Sequence, residues 1–132
     1  MRLYLDSSAL VKLVKREAES EALRRFLRQR RVDGRVTSTL AHVEVVRAVA
    51  GGGPAAIAHA RSHLARVDQI NLDRDLLDAA FALAPPTLLR SLDAVHLAAA
   101  RSVGAELRSV VTYDLRMQDA AAALGMAVDA PA

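Results

Sequence analysis

Residues 3–13, "LYLDSSALVKL", set the architecture of the chain. Leu3, Tyr4 and Leu5 make a short apolar run suited to a core. It stops on Asp6, and the hydroxyl residues Ser7 and Ser8 open a helix. A strand over 2–5 that passes straight into a helix is how an α/β unit begins. The carboxylate at the strand end is what needs explaining, because only five residues precede it.

The alternation continues outward from there. A basic helix spans roughly residues 18–31, and "GRVTS" (34–38) is a second strand. "TLAHVEVVRAVA" (39–50) reads as a helix stopped by Gly51, Gly52 and Gly53. Pro54 then sits where a first-turn proline is tolerated and opens the helix "AAIAHARSHLARV" (55–67). "DQINL" (68–72) is a short strand, and "DRDLLDAAFALA" (73–84) is a helix closed by Pro85 and Pro86. "SLDAVHLAAARSVG" (91–104) is a further helix, "SVVT" (109–112) a buried strand, "DLRMQDAAAALG" (114–125) a last helix and "MAV" (126–128) a last strand. Strands alternating with helices imply right-handed crossovers and a mostly parallel central sheet with helices on both faces, a three-layer α/β/α arrangement.

Composition narrows the class. The 132 residues are 52% hydrophobic, with no linker, repeat or low-complexity tract, so residues 1–132 are expected to form a single domain with one real core. The absence of cysteine excludes disulfide frameworks, thiolate metal sites and cysteine nucleophiles. The first residues lack a signal-peptide arrangement, and the longest apolar stretches fall short of the roughly 18 residues of a spanning helix. The expectation is a soluble, cytoplasmic protein with no membrane segment.

Charge is uneven. Residues 1–35 hold ten of the 18 Lys and Arg and five of the 15 acids, a net of +5 that leaves −2 for the remainder. Most of the excess lies in "VKLVKREAESEALRRFLRQRR" (11–31), where Arg24, Arg25 and Arg28 suit a phosphate backbone, because neutralising phosphates releases counterions. The competing reading is a solvated helix face on which Glu17, Glu19 and Glu21 pair with Arg24 and Arg25.

Parallel sheets collect ligands beyond the carboxyl ends of their strands, near the point where strand order reverses. Asp6 and Asp114 both follow predicted strand ends. Each also precedes a helix, where Asp is a favoured N-cap, and Asp93 lies in a first helical turn, where negative charge suits the macrodipole. Glu44 has no such local role. It stands mid-helix among Leu40, Ala41, Val43, Val45, Val46, Ala48 and Val49, a segment apolar almost all round and therefore expected to be buried. Arg47, at i+3, is its one nearby counter-charge. A buried carboxylate costs several kcal/mol unless paired or bound to metal, and a shared cation would supply the reason.

The fragments "LYLDSSALVKL", "HVEVVRA", "SLDAVHLAAA", "VTYDLRM" and "AAALGMAV", in this order over nearly the whole chain, resemble the PIN-domain ribonucleases and, within them, the VapC-type toxins of bacterial toxin-antitoxin pairs. The resemblance implies a PIN-like fold and an acidic pocket in which Asp6, Glu44, Asp93 and Asp114 hold Mg²⁺ or Mn²⁺. It also implies that Ser7 and Thr112 are supporting polar groups and that Asp119 is an outer helper. It further implies an RNA substrate, a VapB-like antitoxin that packs along helical grooves, and a homodimer. The apolar faces of "SALVKLV" and "AAIAHARSHLARV" are the candidate partner surfaces, if they are not core.

The chemistry is coherent on its own terms. Phosphodiester hydrolysis needs a water made nucleophilic near neutral pH and neutralisation of charge on phosphate and leaving oxygen. Mg²⁺ takes oxygen ligands and keeps several waters, so four acids divide into ligands and water-positioners. The expected division makes Asp6 and either Asp93 or Asp114 direct ligands within a metal set of Asp6, Asp93 and Asp114, with Glu44 orienting the water. His96, at i+3 from Asp93, reads as a packed imidazole bonded to a neighbour, and His59 and His63, at i, i+4, as helix surface. A phosphoryl-accepting receiver is disfavoured because the chain's lysines, Lys12 and Lys15, both lie in the first helix. A non-catalytic PIN-like RNA- or protein-binding module is the remaining alternative, and it has no use for clustered like charge.

Overall fold

The computed structural model describes residues 1–83 and 89–132. The helix stop expected at Pro85 and Pro86 lies outside the described residues. In chain order the elements are β1 (Arg2–Leu5), α1 (Ser7–Val14), α2 (Ser20–Gln29), β2 (Gly34–Ser38), α3 (Thr39–Val49), α4 (Pro54–Leu64), β3 (Asp68–Ile70), α5 (Arg74–Leu83), α6 (Ser91–Ser102), β4 (Leu107–Val111), α7 (Leu115–Ala123) and β5 (Val128–Asp129). Short 3₁₀ turns, Ala50–Gly52 and Gly104–Glu106, follow α3 and α6.

All four strand pairings are parallel, in the order β3-β2-β1-β4-β5. Side chains of a strand alternate between faces, and β1 divides accordingly. Leu3 and Leu5 pack with Leu10, Leu23, Leu27, Val45 and Leu64 under α1–α4. Tyr4 packs on the other face with Leu76, Leu97, Met117 and Ala121 under α5–α7. The result is the expected three-layer α/β/α arrangement, but its buried residues form two cores separated by the sheet rather than the one core expected, because a sheet covered on both faces buries apolar side chains on each. The chain steps outward from β1 through β2 to β3, then returns to place β4 on the other side of β1. The strand order therefore reverses between β1 and β4.

Local chemistry explains the boundaries. Asp6 caps α1 by accepting the Ala9 N–H, and Asp114 caps α7 by accepting those of Arg116 and Met117. Gly53 has φ +87°, which a side chain would resist, and the chain turns there into Pro54 at the start of α4. At the amino-terminal edge, the buried Asp33 carboxylate takes Arg108 Nε at 2.5 Å and the N-terminal ammonium at 3.3 Å. This ion pairing ties the starts of β1, β2 and β4 together.

Three expectations change. β3 ends at Ile70 rather than Leu72, and β4 spans Leu107–Val111 rather than 109–112. α3 is not buried all round: Ala41, Val45 and Val49 form its buried stripe, whereas Val43 is 56% exposed. An apolar sequence supplies more hydrophobic positions than one helix face can bury against a single sheet. The apolar positions of α1 are largely core, through Ala9, Leu10 and Leu13, whereas α4 buries only Ala60 and Leu64 and leaves Ala55 and Ala58 exposed.

Candidate active site

The carboxyl ends of β1 and β4 flank the strand-order reversal, and both deliver acids there. Asp6 follows Leu5 directly, and its amide continues the sheet by donating to the Val111 carbonyl at 3.3 Å. Its carboxylate is only 3% exposed. One oxygen, Oδ1, accepts the Ala9 N–H at 3.0 Å and the Ser8 hydroxyl at 2.6 Å, while Oδ2 accepts the Thr112 hydroxyl at 2.5 Å. Burial pushes the Asp6 carboxyl above the usual range, against the opposing pull of these three hydrogen bonds. Thr112 in turn accepts the Asp114 N–H at 3.2 Å, so one hydroxyl joins the two strand ends.

Asp93, in the first turn of α6, and Asp114, at the start of α7, are bridged by a single side chain. Arg90 donates from Nε to Asp93 Oδ2 at 2.9 Å and from Nη2 to Asp114 Oδ2 at 2.8 Å. Capping does not compete with this contact, because Asp114 uses Oδ1 for the helix and Oδ2 for Arg90.

Glu44 reaches the same end of the sheet from α3 and is half-buried. Its Oε1 accepts the Ser7 hydroxyl at 2.6 Å and lies 2.6 Å from His96 Nε2. Burial would raise its carboxyl, yet the bonds from His96 and Ser7 outweigh that and hold it below the usual range. The partner that sequence suggested for Glu44, Arg47, is not among these contacts. On its other nitrogen, Nδ1, the buried His96 ring meets the Tyr4 hydroxyl at 2.8 Å. With Tyr4 donating to Nδ1, the Nε2–H points at Glu44. Burial raises the Tyr4 phenol, which keeps that donor protonated.

The four acids thus reach one end of the sheet, each already met by a donor: Asp6 by Ser8, Ala9 and Thr112, Glu44 by Ser7 and His96, and Asp93 and Asp114 by Arg90. Among the described residues, no three Asp, Glu or His side chains converge into a closed metal cage. The donor set nevertheless suits a hard divalent cation. It consists of carboxylate and hydroxyl oxygens, a guanidinium cation already sits between Asp93 and Asp114, and Mg²⁺ itself needs only one or two direct carboxylates.

Asp119 is exposed on α7 and makes no recorded hydrogen bond among the described residues. The basic stretch lies elsewhere. α2 runs toward the amino end of β2, so Arg28, in its last turn, lies toward the amino end of the sheet, opposite the acids. Arg28 meets Glu21 at 3.4 Å, Arg24 reaches the Leu13 carbonyl at 3.4 Å, and Arg25 is exposed. Glu17 and Glu19 pair with Lys12 rather than with the arginines. Sequence reasoning did not single out Arg90, although its i, i+3 spacing from Asp93 is a visible signal, nor Tyr4 and Ser8, whose roles depend on contacts distant in sequence.

This arrangement defines a doubly wound domain with an acidic, oxygen-lined site at its topological switch point. Residues 3–123 match the family model of the PIN domain, and the chain belongs to that family. It is 52% identical over 129 residues to a Mycobacterium tuberculosis protein named Ribonuclease VapC46, covering 98% of this chain and 97% of that one. A second protein of that organism, Ribonuclease VapC35, is 44% identical over 131 residues, covering 98% and 96%. Two solved structures share the fold. One is Mycobacterium tuberculosis VapC20, described as a sarcin-ricin loop cleaving toxin, with a TM-score of 0.74, 21% identity, and coverage of 94% of this chain and 95% of that one. The other is a toxin-antitoxin complex from Klebsiella pneumoniae, with a TM-score of 0.73, 18% identity and 98% coverage of both chains.

Proposed function

We propose that this protein is a metal-dependent endoribonuclease of the VapC type, the toxin of a toxin-antitoxin pair. The observation that carries the reading is the Arg90 guanidinium held between Asp93 and Asp114 beside the buried Asp6, at the point where strand order reverses. Asp6, Asp93 and Asp114 would hold Mg²⁺ or Mn²⁺. When bound, such an ion supplies positive charge beside the scissile phosphate and lowers the pKa of water there.

The chain's own groups do the rest. Glu44, kept ionised by His96 and Ser7, accepts a hydrogen bond from the attacking water and directs its lone pair at phosphorus. His96 is a positioning residue: Tyr4 fixes its tautomer and it fixes Glu44. Ser8 and Thr112 orient Asp6, Ser7 orients Glu44, and Asp119 acts from the rim. Arg24, Arg25 and Arg28 supply a sequence-independent grip on the phosphates of an RNA strand that extends past the site.

The protein acts in the cytoplasm as a homodimer held in check by a VapB-like antitoxin. No helix among the described residues is long and apolar enough to cross a membrane. A cavity of about 270 Å³ between the ends of α1 and α3 and the start of α4, lined by Val14, Lys15, Val49 and Ala56, is the antitoxin-facing candidate. The relatives' names and the toxin-antitoxin complex among the fold neighbours support this reading. The test is expression of the wild-type chain and Asp93→Asn at equal abundance. Wild type should arrest growth and degrade RNA while the variant is tolerated. A harmless wild type with intact RNA under varied Mg²⁺ and Mn²⁺ would return the protein to the binding-module class.

A further inference from the structure

Arg90 spans two acids that the chain brings from different helices. The planar guanidinium presents Nε to Asp93 Oδ2 and Nη2 to Asp114 Oδ2, so its own width sets the distance between those oxygens. Asp114 has no other oxygen to offer, because its Oδ1 is engaged by the amides of Arg116 and Met117. Any ligand that takes Asp114 without unwinding the start of α7 must use Oδ2.

Arg90 is well placed to give that oxygen up. Its side chain is 60% exposed, and ion pairs of this kind are weak and screened. Its backbone is extended at the start of α6 (φ −67°, ψ 152°), and its side chain makes no capping bond to that helix. The guanidinium can swing into solvent while the backbone stays in place.

We propose that Arg90 is a positioning residue for the metal site, holding Asp93 and Asp114 at a fixed separation in the metal-free protein, and that a divalent cation binds by displacing its guanidinium from the same two oxygens. The proposal rests on the reading of these acids as metal ligands. Ion entry and Arg90 release are then one event, and the affinity of the site for metal is set below what the carboxylates alone would give. A released guanidinium beside a loaded site also becomes a free donor for substrate phosphate.

The test is a Mg²⁺ titration of the full chain followed by NMR, reading the Arg90 side-chain Nε–H together with the backbone amides of Asp93 and Asp114, with Arg90→Gln measured in parallel. The Nε–H resonance, identified by its loss in Arg90→Gln, should leave its hydrogen-bonded position with the same midpoint as the two amides. The variant should bind Mg²⁺ about threefold to tenfold more tightly, the range expected for losing two competing pairs whose guanidinium is exposed. Amides that respond while the Arg90 resonance stays put at saturation would overturn displacement and leave the metal site standing. Unchanged or weaker Mg²⁺ binding by Arg90→Gln would do the same. Amides that ignore Mg²⁺ altogether in both proteins would sink the metal site, and the role of Arg90 with it.

Discussion

Replacing Asp6 by Asn separates a site residue from a helix cap, and the structure supplies the terms. Asn keeps an Oδ1 for the Ala9 amide and the Ser8 hydroxyl, so the cap of α1 survives. The Thr112 hydroxyl loses its charged acceptor and turns to accept from the Asn Nδ2–H, so a charged hydrogen bond becomes a neutral one. A hydrogen bond to a charged group contributes about 1.5–3 kcal/mol and a neutral one about 0.5–1.5, so this loss is roughly 1 kcal/mol. Against it stands the removal of a charge that is 3% exposed, where burial outweighs the three hydrogen bonds and raises the carboxyl. The metal-free variant should therefore melt at the wild-type temperature or above it. Mn²⁺ at a hundredfold excess over its dissociation constant contributes about 2.7 kcal/mol to wild type. For a domain of this size that corresponds to a rise of roughly 10 °C. In Asp6→Asn the rise should shrink to a small fraction of that, and RNA cleavage should disappear. Thermal melts of both proteins in chelator and in Mn²⁺ read all of these quantities. An undiminished metal shift would refute Asp6 as a ligand, and a metal-free variant several degrees below wild type would refute the claim that its buried charge is a burden.

Glu44→Gln should lower the single-turnover cleavage rate at saturating Mn²⁺ by about a hundredfold or more, the range for losing a general base, while Mn²⁺ affinity from calorimetry stays within about threefold. Changing Arg24, Arg25 and Arg28 together to Gln should reduce the slope of log RNA affinity against log salt by about 2, at roughly 0.7 per phosphate on a single strand. An unchanged slope would make α2 ordinary solvated surface. Asp33 is held below the usual carboxylate range by Arg108 first and by the N-terminal ammonium, against the pull of burial. Its pairing therefore stabilises the fold above the unfolded-state carboxyl range, and that contribution is lost as pH falls through the lower folded value. Asp33→Asn should be less stable than wild type at pH 7, with the gap closing in melts recorded toward about pH 2.

The strand–acid–helix opening at residues 2–14 was legible because it is local: three apolar residues, a cap and hydroxyls in sequence. The same holds for the Gly53–Pro54 break and for Asp114 after β4. The parallel sheet with helices on both faces followed from alternation and the right-handed crossover rule, whereas the order of its strands did not. The contacts that give the site its chemistry were not legible. Glu44 was matched to Arg47 by helical spacing, yet its partners Ser7 and His96 lie 37 and 52 residues away. Packing of α3 across the sheet edge, which no local pattern encodes, makes that choice. The length of β3 was misread because it is an edge strand, where pairing ends with its single neighbour β2. The basic stretch was visible as charge but not as location, since only the direction of α2 relative to β2 shows that it leads away from the acids.

The two cores described above never merge through the sheet, and the four acids divide between them. Asp6 and Glu44 travel with the α1–α4 layer, whereas Asp93 and Asp114 travel with the α5–α7 layer. Ser7, Glu44 and His96 form a lace across the strand ends, fastening one layer to the other. Sliding of the layers by even an ångström would loosen that lace and pull two acids away from the other two. Repacking substitutions deep under α5, which supplies none of the four site acids, should therefore act on the site as on a pair of pliers gripped at the handles, changing the gap between its jaws without touching them.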